Sequence, residues 1–252
     1  MNATEQLEDI GLRYLNKLLT FSFLQVERTI FGTETEAFTI HDLLHELAER
    51  VCGTECFRIV SNALPKDIPQ EVRHLFVGIG TDNRAVITKK ILDLVNLRTL
   101  IIDEEYSENK RKIFAAQDAE ELDHTLINEK LFDRMFKSLR KLRVLIFKTK
   151  YYHEKVLSVP SSIDQMKHLR YLNFHMDCSH RSVGLIFPST FGKLYHMQSI
   201  YAEKVSCAED ITKNLTSLRH SSSSSMGFAN IGRLTSLQSL GYFQVKKEQG
   251  PK

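Results

Sequence analysis

The chain has 252 residues, of which 42% are hydrophobic, and its 34 Lys and Arg residues against 31 Asp and Glu residues give a formal net charge of +3. This length and apolar content provide for one large domain or two smaller ones with buried cores, which excludes a disordered chain. The net charge is too small to favour a nucleic acid or an anionic membrane as partner without a local basic patch. The most basic stretch, KSLRKLRVLIFKTK at 137–150, spaces its charges between apolar residues, which is typical of a solvated face of a folded element.

Cysteine usage and the N-terminal residues favour a cytoplasmic protein. The four cysteines show no CxxC spacing, so the sequence indicates neither a zinc ribbon nor a disulfide framework, and reduced cysteines are expected. The first residues lack the basic, apolar and cleavage regions of a signal peptide. The sequence contains no run of about 18 apolar residues, so no membrane span is predicted.

The first 65 residues predict a small winged-helix module. Apolar residues at helical spacing from Leu7 to Leu18 predict an amphipathic helix packed on a core. The stretches FSFLQVERTI and AFTI then predict two short strands of a hairpin. A second helix follows, with Asp42 near its start and one apolar stripe that ends at Val51.

Residues 66–252 predict a leucine-rich-repeat solenoid of about seven repeats. A self-similar phrase recurs as VRHLFV at 72, LRTLII at 97, LRVLIF at 142, LRYLNF at 169, MQSIYA at 197, LRHSSS at 218 and LQSLGY at 237. Its spacings of 25, 45, 27, 28, 21 and 19 residues lie, with one exception, near the length of such a repeat. Each phrase predicts a short strand with alternate residues turned inward, so that stacked repeats form a curved parallel sheet with an irregular or helical convex side.

Two segments of this region depart from a regular repeat. The long spacing holds a charged insertion near 103–138, which is predicted to contain a degenerate repeat and a helix around Leu131 to Leu139. The run HSSSSSM at 220–226 predicts a weak repeat or a loop. In the best-formed unit, VLSVPSSIDQMKHLRYLNF, the residues predicted to point inward are Leu157, Ile163, Met166, Leu169, Leu172 and Phe174.

The stretch HDLLH places His41 and His45 four residues apart, which superficially resembles the HExxH pattern of zinc proteases. On a helix the two side chains would lie about 40° apart, so the geometry alone permits a shared metal. A zinc protease needs a third ligand and a glutamate base, however, and Asp42 stands where that glutamate would be. This disfavours a metal site and leaves a structural pair beside the apolar stripe as the alternative to a functional motif.

Three stretches in order, FTIHDLLHELAERV, VRHL and VPSSIDQMKHLRYLNF, closely resemble plant intracellular NB-ARC leucine-rich-repeat disease-resistance proteins of the coiled-coil class. The resemblance covers nearly the whole chain, and its most specific part is the family's MHD motif, here Ile40, His41 and Asp42. It implies that His41 senses bound ADP and that Asp42 orders the start of the adjacent helix, whereas His45 has no counterpart. Because no GxxxxGK(S/T) loop occurs, the chain corresponds to the region after the P-loop domain, and no nucleotide cofactor is expected in it, although the full-length family binds ADP and ATP.

The function that the resemblance implies is plant innate immunity without enzymatic activity. The repeats would recognise a pathogen effector or a guarded host protein on their concave face, and they would hold a nucleotide switch inactive together with the nucleotide-binding domain of the intact receptor. Strand alternation predicts the outward residues of that face, which are Val144, Ile146, Lys148, Tyr171, Asn173, His175, Ser199 and Tyr201. Ile146, Tyr171 and Tyr201 are candidate anchors, and packing under neighbouring loops is the alternative.

Three other functional classes fit the sequence less well. A generic repeat adaptor or decoy shares the solenoid but does not require FTIHDLLHELA. An extracellular repeat receptor needs a signal peptide, a membrane span and cysteine-paired caps. A winged-helix DNA-binding protein needs basic residues on its second helix, whereas HDLLHELAER is acidic apart from Arg50 and the histidines.

Overall fold

The computed structural model describes residues 6–27, 37–60, 67–78, 84–103, 129–149, 156–176, 184–207, 211–222, 225–226 and 230–241. The chain divides into two compact units, the N-terminal unit Met1–Gly53 and the repeat unit Thr54–Lys252. None of the helices within these described ranges is long and apolar enough to cross a bilayer.

The N-terminal unit has the predicted order of helix, hairpin and helix. Its elements are α1 (Leu7–Thr20), β1 (Leu24–Glu27), β2 (Ala37–Ile40) and α2 (Asp42–Cys52). Strands β1 and β2 are antiparallel, with Leu24 opposite Ile40. At the start of α1, the Asp9 carboxylate accepts a hydrogen bond of 3.2 Å from the backbone N–H of Gln6. After α2, the backbone turns away at Gly53, whose φ of 54° is a conformation that favours glycine.

The prediction that α1 packs on a core is wrong within the described residues of the N-terminal unit. Neither α1 nor α2 has a buried residue there. Leu12 on α1 is 57% exposed, and Val51 on the α2 stripe is 80% exposed. The helical spacing of the apolar residues correctly predicts the helices, but it does not predict their burial. A unit of this size buries a small share of its apolar area.

The repeat unit consists mainly of short strands. Its elements, in chain order, are β3 (Cys56–Ile59), β4 (His74–Gly78), α3 (Arg84–Leu92), β5 (Thr99–Asp103), α4 (Glu129–Ser138), β6 (Val144–Thr149), β7 (Val156–Ser158), β8 (Tyr171–Met176), β9 (Gly184–Phe187), β10 (Ser199–Ala202), β11 (Lys204–Cys207), β12 (His220–Ser222), β13 (Ser225–Met226) and β14 (Ser239–Leu240).

Within the described ranges, eight of these strands form one parallel sheet, the long sheet, in the order β14-β12-β10-β8-β6-β5-β4-β3. Each of the seven recurring phrases supplies one strand, which confirms the repeat prediction. Strand β3 is an additional member that lies before the predicted domain boundary at residue 65. It pairs with β4 and turns Ile59 inward at 3% exposure, so the sheet begins before that boundary.

A second parallel sheet of four described strands, in the order β13-β11-β9-β7, runs through the later repeats. The predicted fold class is confirmed, since the earlier repeats carry the helices α3 and α4 and the later ones carry short 3₁₀ helices, and this second sheet is an additional feature of the later repeats. Proline follows two of the second-sheet strands, at Pro160 and Pro188, and each begins a 3₁₀ turn as its N-cap residue. Because proline cannot donate to a sheet ladder, it marks the ends of these strands.

The core of the repeat unit is built from the residues that alternation predicts. All six inward residues predicted for the best-formed unit are at most 2% exposed. The helix predicted around Leu131 to Leu139 is also confirmed, because α4 buries Phe132, Met135 and Phe136. The serine run supplies β12 and β13, where Ser221 is buried at an inward position that the regular repeat gives to an apolar residue.

The expectation of reduced thiols is wrong for two of the three cysteines that the structure describes. Cys52 and Cys56 are disulfide-bonded, whereas Cys207 is a free, half-buried thiol whose pKa is raised by burial to about 12. Cys178 lies outside the described residues.

Candidate partner-binding face and helix N-terminus

The eight residues predicted for partner binding lie together on one side of the long sheet, which we call the outer face. Pairing between strands arranges them in rows, because neighbouring parallel strands place residues of the same register about 4.8 Å apart. The first row is Val144, Tyr171 and Ser199, the second is Ile146, Asn173 and Tyr201, and the third is Lys148 and His175. Along β6 these outward positions are half-buried and alternate with fully buried ones. These residues thus share one face of the long sheet, and their role in binding stays a prediction.

Tyr171 and Tyr201 form the aromatic centre of the outer face. Their ring centroids are 5.3 Å apart with an angle of 32° between the planes. Asn173 adds a long hydrogen bond of 3.5 Å from its side-chain nitrogen to the Tyr171 hydroxyl. Burial, and secondarily the neighbouring Tyr171, raise the pKa of the Tyr201 phenol. The two rings are therefore held against each other, with apolar faces and a polar tip.

The third row gives the outer face a charged border. The Lys148 ammonium lies 3.7 Å from the Asp103 carboxylate on the neighbouring strand β5. His175 is exposed beside Lys148 in the same register. A partner seated on the apolar rows would therefore meet polar groups at this side, which is how protein interfaces are usually arranged.

The outer face extends over residues that the sequence analysis did not name. The row through Ile146 continues onto Ile101 and Phe76 on the preceding strands, and the Arg58 guanidinium lies 5.1 Å from the centre of the Phe76 ring. In the row through Val144, Thr99 makes a 3.0 Å side-chain hydrogen bond with His74. Four of these residues, His74, Phe76, Thr99 and Ile101, could be predicted from the sequence. The phrases VRHLFV and LRTLII place them at the same outward positions as the residues named above.

His41 occupies the N-cap position of α2, between the hairpin and the helix. Its Nδ1 accepts a hydrogen bond of 3.4 Å from the backbone N–H of Leu43. A neutral imidazole that accepts at Nδ1 carries its proton on Nε2, so Nε2 can donate to an anion. Asp42 is the first residue of α2, where a carboxylate interacts favourably with the helix dipole. The start of α2 thus combines the His41 cap with the charge of Asp42, and the roles that the resemblance implies for both residues stay predictions.

His45 is engaged by its own helix. Its Nδ1 lies 3.6 Å from the Glu49 carboxylate, one turn later on α2. Among the residues that the structure describes, no group of three His, Cys, Asp or Glu side chains is placed to hold a metal ion.

Comparison with known proteins identifies relatives of both parts of the chain. Residues 1–48 match the winged helix domain of disease resistance proteins. A disease resistance protein of Arabidopsis thaliana is 28% identical over 171 residues, which cover 68% of this chain and 10% of the Arabidopsis protein, so this chain spans about a tenth of that relative. Among solved structures, an internalin of Listeria monocytogenes matches over 71% of this chain and 56% of the internalin chain, at 13% identity and a TM-score of 0.28.

Proposed function

Because this chain belongs to the plant disease-resistance protein family, we propose that its repeats are the recognition surface of a cytoplasmic innate immune receptor. The partner is a protein, either a pathogen effector or a host protein that the receptor guards. The chain acts by binding and not by catalysis. The observation that carries the proposal is the outer face, where aliphatic and aromatic side chains from neighbouring strands lie together with a charged border.

The centre of this face has the composition of an energetically dominant contact region. Tyrosine is enriched among the residues that contribute most to protein interfaces, since it offers a large rigid ring and a hydroxyl group. Tyr171 and Tyr201 already contact each other, so a partner meets a pre-arranged pair rather than two mobile side chains. Ile146 lies one strand away in the same row as Tyr201 and widens the apolar area.

The test is to screen pathogen effectors and candidate host proteins against the full chain, and then to measure the affinity of the partner found for a Tyr171→Ala/Tyr201→Ala variant. Loss of two dominant contacts is expected to weaken binding at least about 30-fold. Tyr195→Ala is the matched control, because Tyr195 is 50% exposed in a turn of the same unit. Circular dichroism would check that both variants fold. Unchanged affinity of a folded double variant would refute this binding face.

A generic adaptor could use the same face, and the N-terminal unit distinguishes the two functions. The match of residues 1–48 to the winged helix domain of disease resistance proteins favours the receptor. In the proposed receptor, the repeats and the N-terminal unit hold the nucleotide-binding domain in its resting state until a partner binds. An intact receptor that carries the Tyr171→Ala/Tyr201→Ala change should then fail to respond to its partner, while its resting state is unaltered.

We further propose that His41 contacts nucleotide only in the intact receptor. The Nε2 atom can donate one hydrogen bond to a phosphate oxygen, and the His41 cap positions the ring at the N-terminus of α2. A single charge-assisted hydrogen bond contributes about 1.5–3 kcal/mol, which is less than the roughly 4 kcal/mol of a millimolar affinity. Titration of ADP into this chain should therefore show no binding tighter than about 1 mM. Tighter binding that His41→Ala removes would overturn this assignment.

A further inference from the structure

A row of arginines borders the long sheet where its strands begin. The residue just before the strand is arginine in five of the repeats, namely Arg73, Arg98, Arg143, Arg170 and Arg219. Backbone hydrogen bonds fix their register, since the N–H of Arg143 donates to the carbonyl of Arg98 and the N–H of Arg170 to that of Arg143, each at 2.8 Å. The first four side chains therefore start at intervals of about 4.8 Å along one edge, and Gln198, just before β10, separates Arg170 from Arg219.

The central part of this row carries positive charge without a carboxylate partner in the described parts of the repeat unit. Arg73, at one end, pairs with the Glu55 carboxylate at 3.2 Å. Within the described residues, Arg98, Arg143 and Arg170 have no ion-pair partner, and the last two are exposed. Like charges on neighbouring strands repel each other. The arginines therefore do not stabilise the fold by their charge, and a bound anion would relieve the repulsion.

Two lysines extend the charge onto the adjoining turns. Lys141 and Lys167 are exposed, and the Lys141 amine donates a 2.8 Å hydrogen bond to the Asn96 side-chain oxygen. The turns 139–143 and 166–170 contain no Asp or Glu. We call the five cationic residues the basic edge, which consists of Arg98, Lys141, Arg143, Lys167 and Arg170.

Two carboxylates on other elements of the same repeats are already paired, whereas Asp93 is an exposed carboxylate in the turn before Arg98. Asp133 on α4 accepts from the Lys137 ammonium at 2.6 Å. Asp164 accepts from Lys193 of the next repeat at 3.0 Å. These pairs leave the charge of the basic edge available to a partner.

We propose that the basic edge docks the acidic face of an α-helix of a partner protein. Carboxylates at successive turns of one helix face repeat about every 5.4 Å, so they depart from the arginine spacing by about 0.6 Å per step. Alternate residues of an extended acidic segment repeat about every 6.8 Å, which departs by about 2 Å per step. Over the two steps from Arg98 to Arg170 the helix stays in register and the extended segment does not. The planar guanidinium also suits bidentate pairing with carboxylates.

This docking surface is distinct from the outer face, because it lies at the start of the strands and uses charge rather than apolar area. A partner helix on the basic edge could therefore be bound at the same time as a protein on the outer face. The inference does not require that the outer face recognises an effector.

The test uses the full chain and an alanine-rich helical peptide that carries glutamates at i, i+4 and i+7 positions along one face. A second peptide of the same composition distributes the glutamates around the helix. The variant Arg98→Gln/Arg143→Gln/Arg170→Gln should weaken binding of the one-faced peptide about tenfold or more, as expected for three partly exposed ion pairs. The control Lys89→Gln/Lys204→Gln/Lys213→Gln changes the net charge equally at exposed sites away from the edge.

Further measurements keep the proposal falsifiable if the glutamine variant does not fold. Replacing the same three arginines with lysine keeps the charge but removes the bidentate geometry, so about threefold weaker binding is expected. The Tyr171→Ala/Tyr201→Ala variant should bind the peptide normally, which separates this surface from the outer face. Equal binding of the two peptides, equal effects of the two glutamine variants, or tighter arginine-dependent binding of a single-stranded oligonucleotide would overturn the assignment to an acidic helix.

Discussion

Removing the Phe132 side chain should destabilise the repeat unit more than any change on its surface. Phe132 is 1% exposed on α4, and it contacts three other rings. Its centroid lies 5.7 Å from that of Phe136 in a stacked arrangement, and 5.9 Å and 5.4 Å from those of Phe147 and Phe174 in edge-to-face arrangements. The ring therefore joins α4 to the strands β6 and β8, which come from different repeats.

For Phe132→Ala we expect the free energy of unfolding to fall by about 3–5 kcal/mol, because a large ring leaves a cavity that rigid neighbours fill only in part. At about 2–4 °C per kcal/mol, the melting temperature should fall by roughly 6–20 °C. The assay is thermal and urea unfolding followed by circular dichroism. A double-mutant cycle with Phe174→Ala should show a coupling of about 0.5–1.5 kcal/mol beyond the single effects.

The control for this prediction is Tyr195→Ala, which removes a ring that is half-exposed in the same unit. It should change the free energy of unfolding by less than about 1 kcal/mol. If Phe132→Ala also costs less than about 1 kcal/mol, then α4 does not belong to the core of the repeat unit.

Two further predictions concern single sites in the later repeats. A Cβ added at Gly192 would lie 3.2 Å from a backbone oxygen of the next repeat, whereas nothing lies within 4 Å of one at Gly232, which occupies the same kind of 3₁₀ turn. Gly192→Ala should therefore lower the melting temperature by several degrees, and Gly232→Ala should leave it unchanged or raise it slightly. Because burial raises the pKa of the Cys207 thiol to about 12 against an ordinary 9.0, its reaction with a thiol reagent at pH 8 in a Cys178→Ser background should be about 10³-fold slower in the native than in the unfolded chain. Similar rates would show that the thiol is accessible.

The long sheet could be predicted from the sequence because its signal is strong in each repeat. In LRYLNF, Leu169, Leu172 and Phe174 alternate with polar or aromatic residues over a length that a strand needs. The same alternation predicts the outer face, since a residue between two inward positions must point outward. Both predictions depend on neighbouring residues in the chain and need no information about packing.

The second sheet could not be predicted by this route because its strands are too short to show a period. Strands β7 and β13 have three and two residues. In the sequence, a single inward residue such as Leu157 cannot be distinguished from an apolar residue of a loop or a 3₁₀ turn. Strand β3 could not be predicted for a related reason, because CFRI follows Thr54 and Glu55 and lacks the apolar residue (Leu, Val or Met) that stands two positions before the other strands of the long sheet.

Contacts between side chains on neighbouring strands could not be predicted from the sequence either. The contact between Tyr171 and Tyr201, and the ion pair between Lys148 and Asp103, join residues 30 and 45 positions apart. Which side chains meet depends on the register between strands, and the loops that set it vary in length from one repeat to the next. The sequence therefore predicts which residues share a face, whereas the structure is needed to show which of them touch.

Adjacent residues of the phrase LRxLxx lie in different surroundings. In LRYLNF, Leu172 is fully buried, Tyr171 and Asn173 lie on the outer face, and Arg170 belongs to the basic edge. Because these side chains point to different surroundings, substitutions should separate three effects. Changes at Leu172 should unfold the repeats, changes at Tyr171 should weaken a partner on the outer face, and changes at Arg170 should weaken an acidic partner on the edge. One period of two residues thus supplies both the core and two separate surfaces, which explains how weakly similar repeats can keep one fold while their outward residues differ.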